Sequence, residues 1–332
     1  MRKIEYDFAK GIAIICVVLL HSISYADLYS SLAPWHIWQA IPIFVIVSGA
    51  LYAEAEGKSK LSHLSKINIS ILKLVKPAIF IWVIQLMLVY LIKGSIDERR
   101  IIEIFKQGGF GTGGYFIYIA IENILLGGFY FLIIKKYQKL GLFFIAGLSV
   151  LFDLLAYQID LNDELYRVVA TRYAFFYAIG LAYVRGILDF SKIALAGFWS
   201  IGILWLVIVQ YFLFDLHPVY PAWHSHTALS GFVAFGYFIM LGDISRKFQN
   251  SGVVRVVCMF GRSSYYIFLV QMTFFWVKRW MSSNNYYPEY GFVIVMIELF
   301  ACLILGMLYS VFYEYTVKQL NFFEKFKSNN SN

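Results

Sequence analysis

Three polar side chains interrupt the first apolar run of the chain, DFAKGIAIICVVLLHS: Asp7, Lys10 and His21. A helix turns by ~100° and rises by ~1.5 Å per residue. From Lys10 to His21 the net rotation is therefore about 20°, so the two share a face and stand about 16 Å apart along it. Asp7 lies roughly 40° away on the same face. At that separation lysine and histidine cannot hydrogen-bond to each other, but they can touch the two ends of one long ligand. A charge at mid-bilayer costs about 2.5–3.5 kcal/mol or more, so such groups have to be accounted for. His21 reads either as a hydrogen-bonded tie between two helices or as a proton-transfer group, since an imidazole titrates near neutrality.

The elements that hold these residues follow from composition. The chain has 332 residues, 60% hydrophobic and 14% charged, where a soluble domain carries about 25% charge. Apolar runs of roughly 18 or more residues recur throughout, which predicts an all-α, polytopic membrane protein of about ten spans. They are expected near 8–26, 35–53, 71–92, 115–134, 141–157, 170–187, 193–214, 224–242, 262–281 and 291–313. A soluble helical core would need charged faces between the runs, and they are missing. An even count puts both termini on one side. That side collects most of the 28 lysines and arginines, among them Lys3, Lys58, Lys66, Lys73 and Lys76, which makes it cytoplasmic. The first helix then runs outward, with His21 about 20 Å from its start in a ~30 Å core. The net charge of +8 follows from this topology, so no nucleic-acid partner is expected.

The first segment is expected to be retained rather than cleaved as a signal, because Lys10 interrupts it and no small-x-small site follows. Residues 1–316 are read as the transmembrane domain and 317–332 as a basic, partly disordered cytoplasmic tail. Cys16, Cys258 and Cys302 sit in apolar runs without metal or disulfide spacing and are read as core residues; no metal site is expected. In the second span Pro42 lies near the depth of His21, and Ser48–Gly49 lies deeper; proline and glycine let backbones or ligands come close. Residues 93–114 predict a short interfacial helix followed by a flexible joint, GGFGTGG. No internal repeat, P-loop or dinucleotide fingerprint is present. Glu122 and Asn123 fall mid-helix, either as a buried tie or as part of a site. Arg172 falls at an outer helix end, where snorkelling to headgroups is the plain alternative. The outer stretch DLHPVYPAWHSH brings together Asp215, His217, His224 and His226, an acceptor-binding loop or a simple solvated interface, and Trp223 there belongs to the aromatic belt. Glu298 has no assigned role.

DFAKGIAIICVVLLHS followed by IPIFVIVSGALY resembles the opening of acyltransferase family 3, the integral membrane acyltransferases. The family's basic residue, ten-residue gap and histidine fall on Lys10 and His21. GGYFIYIAIENILL, RYAFFYAIGLAY from Arg172, and GRSSYYIFLVQM from Gly261 resemble later family motifs, so the likeness spans most of the chain. Lys10 stands where many members have arginine, and Gln271 where many have histidine. The extra esterase-like domain of some members is not seen. The resemblance implies transfer of an acyl group, most often acetyl from acetyl-CoA, to a hydroxyl of a cell-surface or exported glycan in the cell envelope. His21 would be catalytic base or acyl carrier, with Glu122 beside it. Lys10, Ser48 and Arg172 would bind the acyl donor, and Trp223, His224 and His226 the acceptor. Acyl-CoA is then a substrate, and no tightly bound cofactor is implied. Membrane lipid, the glycan and its synthesis or export machinery are the expected partners, in a bacterial cytoplasmic membrane. The alternative from another class is a transporter or flippase for a glycan or its lipid-linked precursor, with Glu122, Glu298, Arg172 and His21 as pathway residues. Against it stands the lack of paired broken helices in corresponding halves.

Overall fold

The computed structural model describes residues 3–24, 27–28, 32–58, 62–188, 191–209, 227–284, 286 and 291–330. Among them the chain is helical throughout and contains no strand. Helix α1 covers Ile4–Ser22. Two 3-10 turns, Ala33–Trp35 and Ile37–Gln39, lead into α2, Ala40–Lys58. Helix α3, His63–Lys93, starts where the Ser62 hydroxyl accepts the Ser65 N–H at 3.3 Å, and ends where Gly94 turns to φ 73°. Helix α4, Glu98–Gln107, is capped by Asp97, whose carboxylate accepts the Arg100 N–H at 2.8 Å. It occupies the stretch where a short helix is expected.

Helix α5 covers Phe116–Gln158 and contains the expected fourth and fifth spans. Its 43 residues would reach about 65 Å if straight, twice the ~30 Å hydrocarbon core. The run is broken at Gln138, which takes φ 50° and ψ −123°. Gly141 comes back against the Ile133 carbonyl, which a continuous helix would hold about 12 Å away. After α6, Asp163–Val168, and a 3-10 turn at Ala170–Tyr173 comes α7, Ala174–Val184. Then follow α8 (Lys192–Val207), α9 (Gly231–Lys247), α10 (Gly252–Arg262), α11 (Ser264–Ser283) and α12 (Phe292–Asn330). Helices α10 and α11 meet at 70°, where a single expected span covered little more than α11. The helix α12 continues to Asn330, past the expected domain end at 316.

Among the described residues, five helices are long and apolar enough to cross a membrane, or six if the bent α10–α11 pair is one span. This is a membrane protein by that measure, with fewer qualifying helices than the ten expected spans. Charge explains part of the difference: α1, with Lys3, Glu5, Asp7 and Lys10 at one end, does not qualify.

Glycines set the packing. A side chain on Gly49 would run into the Tyr177 carbonyl, and one on Gly180 into that of Ile46, so α2 and α7 lie backbone to backbone. Gly11 meets the Val257 carbonyl and Gly261 that of Asp7 in the same way, joining α1 to α10. Small residues allow this approach where apolar burial from lipid supplies little drive. Helix α7 is buried from Ala174 to Ala182 and forms the centre. Away from it, Glu298 of α12 pairs with Lys278 of α11 at 2.6 Å, both buried, which accounts for an acid the sequence left unassigned. The three cysteines are free, Cys258 and Cys302 in the core and Cys16 half-buried.

Candidate functional site

A cavity of about 1550 Å³ is lined by Lys10 and His21 together. Helix α1 supplies both, and its two ends are anchored differently. At the Lys10 end, Asp7 pairs with Lys10 at 3.3 Å, and Glu54 of α2 takes Lys3 at 2.7 Å and the Tyr6 hydroxyl at 3.0 Å. Asp7 thus has a lysine partner within α1 itself. At the other end, Leu28, Ala33 and Ile37 form a small apolar cluster over Leu19, Leu20 and Trp38.

His21 packs against the ring of Phe275 in α11, centroids 5.8 Å apart. Its ring nitrogens have no hydrogen-bond partner among the described residues. Arg279, one turn beyond Phe275, acts on the imidazole electrostatically and lines the same cavity. A histidine serving as a helix tie would spend a ring nitrogen on a neighbour; this one packs against Phe275 at a tilt of 58° and lines the cavity.

Ser48 also lines the cavity, with its hydroxyl donating back to the Phe44 carbonyl at 2.8 Å. Of the mid-helix pair in α5, Asn123 reaches the cavity and Glu122 does not. Adjacent helical residues point ~100° apart, and the cavity side of α5 takes Ile119, Ala120, Asn123 and Ile124, leaving Glu122 off it. The Asn123 amide donates to the Ile119 carbonyl at 2.9 Å and leaves its oxygen buried without a partner. The Glu122 carboxylate instead accepts the Ala170 N–H at 2.6 Å, holding the turn that leads into α7.

Arg172 is fully buried behind the cavity wall. Its guanidinium stacks over Tyr166 at 4.4 Å and Tyr173 at 5.1 Å, in the field of Asp153. Asp153 accepts the Tyr166 hydroxyl at 2.9 Å and the Ala228 N–H at 3.3 Å. The structure thus brings Lys10, His21 and Ser48 to one cavity and places Glu122 and Arg172 outside its lining. Trp223, His224 and His226 lie outside the described residues. No cluster that could hold a metal ion occurs among the described residues.

The segment read as a flexible joint is pinned. Gln85, fully buried in α3, donates to the Phe110 carbonyl at 3.0 Å and to the Thr273 hydroxyl at 2.9 Å, and accepts the Phe110 N–H at 2.8 Å. The Trp82 indole donates to the Gly108 carbonyl at 3.0 Å. Gly111, at φ 110°, sits against the Met272 carbonyl, where a side chain would clash. Residues 111–115 consequently form part of the cavity wall. The glycines serve tight backbone contact here, a use that composition cannot tell from flexibility.

A family model described as an acyltransferase domain, that of acyltransferase family 3, matches residues 3–315. The chain belongs to this family. No curated protein and no solved structure matches it. The family match covers every helix that lines the cavity, and so gives the cavity a chemistry to be tested against: acyl transfer at a membrane.

Proposed function

We propose that this membrane acyltransferase moves an acetyl group from acetyl-CoA to a hydroxyl of an exported or cell-surface glycan, with His21 as general base. The observation that carries the reading is one cavity lined by both Lys10 and His21, about 16 Å apart on a single helix face. A pantetheine arm is long and thin, with phosphates at one end and a thioester at the other. Lys10 meets the phosphate end, together with Lys73 and Arg262, which line the same end of the cavity and have no acid partner among the described residues. His21 stands at the thioester end. Its neutral imidazole takes the proton of the acceptor hydroxyl while that oxygen attacks the thioester carbonyl. The C–S bond breaks, and the leaving thiolate takes a proton from the imidazolium. Asn123, with its unpartnered oxygen in the same wall, orients the arm between the two ends. The donor enters from the cytoplasm and the glycan from the opposite side.

The test compares wild type with His21→Ala in nanodiscs, measuring free CoA released from acetyl-CoA in the presence of a crude envelope glycan. Acceptor-dependent release by wild type and its loss in the variant are expected. Full release by His21→Ala would remove His21 from the chemistry. Intact transfer activity in neither protein, with glycan export abolished in cells lacking the gene, would favour a transporter.

A further inference from the structure

Both ends of the cavity carry cations. At the Lys10 end, Lys10 pairs with Asp7 and Lys66 with Glu56 at 3.0 Å, beside Lys73 and Arg262, which the donor phosphates would engage. At the His21 end, Arg99 and Lys106 of α4 and Arg279 of α11 line the cavity, and none of the three pairs with an acid among the described residues.

Helix α4 turns its charged face inward. Arg99, Ile102, Glu103, Lys106 and Gln107 line the cavity, and their i, i+3, i+4, i+7, i+8 spacing is one helical stripe. The other side of the helix is apolar: Ile104 is fully buried, and Phe105 meets the Trp82 ring edge-on at 5.4 Å. Glu103 does not neutralise the stripe, because Arg100 already holds it at 2.8 Å. A helix serving only to anchor at the membrane surface would direct its cations to headgroups. This one presents Arg99 and Lys106 to the cavity that His21 and Arg279 also line.

We propose that this mouth is an anion-binding acceptor site: the acceptor carries a carboxylate or phosphate that Arg99, Lys106 and Arg279 hold while its hydroxyl faces His21. The inference rests on the acyl-transfer reading above and narrows its acceptor to an acidic glycan. The charge can reside on an acidic sugar or on the diphosphate of a lipid-linked saccharide. Guanidinium and ammonium groups on three separate turns suit either, since both are compact anions that take charge-assisted hydrogen bonds.

The test offers one oligosaccharide in three forms: neutral, with a uronic acid residue, and linked to a polyprenyl diphosphate. Transfer is followed by mass spectrometry of the product and by CoA release, in nanodiscs of zwitterionic lipid. Equilibrium binding of each form to the wild type is measured alongside, with no donor present. The acidic forms are expected to bind at least tenfold more tightly than the neutral one, with affinity falling as salt rises. Arg99→Gln/Lys106→Gln is expected to raise the acceptor KM at least tenfold for acidic forms, with acetyl-CoA KM changed less than twofold. Arg279→Gln should do the same and Arg279→Lys should restore most of the loss. Lys93→Gln, outside the cavity lining, is the control, and thermal unfolding checks that each variant is folded. Preference for the uronate or for the diphosphate form identifies the source of the charge. Equal binding of neutral and acidic forms, a raised acetyl-CoA KM in the double variant, or displacement of the acidic glycan by added anionic lipid would overturn the proposal. Absence of CoA release with every acceptor would instead count against the acyl-transfer reading, while the binding arm still decides the anion site.

Discussion

The two walls of the cavity are built in opposite ways. The wall that carries Lys10, His21 and Ser48 consists of α1 and α2, pressed against α10 and α7 through Gly11, Gly261, Gly49 and Gly180. The facing wall is α3, α4 and the glycine turn. Much of α3 looks outward, with Met87 60% and Leu91 75% exposed, and the Gln85 and Trp82 side chains add to the backbone approach of Gly111 in holding the turn in place. Backbone contact fixes a helix in position and rotation. On the proposed reading, His21 and Lys10 meet two ends of one molecule, which calls for that rigidity.

Substitutions can break this contrast. The largest effect on turnover is expected from His21→Ala, a loss of about 10²–10⁴-fold, the usual share of a general base, read as CoA release at saturating donor. Next is Gly261→Leu, which drives a side chain into the Asp7 carbonyl and separates α1 from α10; the folded, detergent-soluble yield should collapse. Lys278→Met strands the buried Glu298, a cost of about 3–5 kcal/mol, seen as a large fall in unfolding temperature. Lys278→Met/Glu298→Leu should recover most of it, because an apolar pair of similar volume needs no charge compensation. Gln85→Leu frees the turn at Phe110 and leaves its backbone groups unpaired, about 1–3 kcal/mol of local stability. Transfer should fall several-fold while the fold persists, since only the looser wall is touched. Leu91→Ala, on the outward face of α3, should change stability by no more than about 0.5 kcal/mol and leave transfer intact. An effect of Leu91→Ala as large as that of Gly261→Leu would erase the difference between the walls.

How much of this can be read from the chain depends on whether a feature is local. Helix periodicity alone put Lys10 and His21 on one face, and both line one cavity. Ser48–Gly49 announced a close approach, and Gly49 does meet Tyr177. The motif from Lys10 to His21 also identified the family. Features that depend on a partner far along the chain were not legible. Gln85 and Phe110 are 25 residues apart and Gln85 and Thr273 are 188 apart, so the glycine turn could only be read as a joint. Glu122 and Asn123 are neighbours with the same burial pattern in sequence, and only the neighbouring Ala170 decides which of them turns to the cavity. Glu298 had no assignment because Lys278 lies in another helix. Arg279 gave no signal at all: an arginine beside Lys278 near a helix end is an ordinary basic pair until Phe275 and His21 are placed near it.

The central claim is that one ligand runs from Lys10 to His21. It is tested most directly by an acyl-CoA whose short acyl chain carries a diazirine, photolysed with the protein in nanodiscs and mapped by peptide mass spectrometry. Labels are expected on the His21 end of α1, on α11 around Phe275 and on the 111–115 turn, and unlabelled acetyl-CoA should compete them away. Labels confined to the outward faces of α3 and α12, or labels that acetyl-CoA does not displace, would contradict the account.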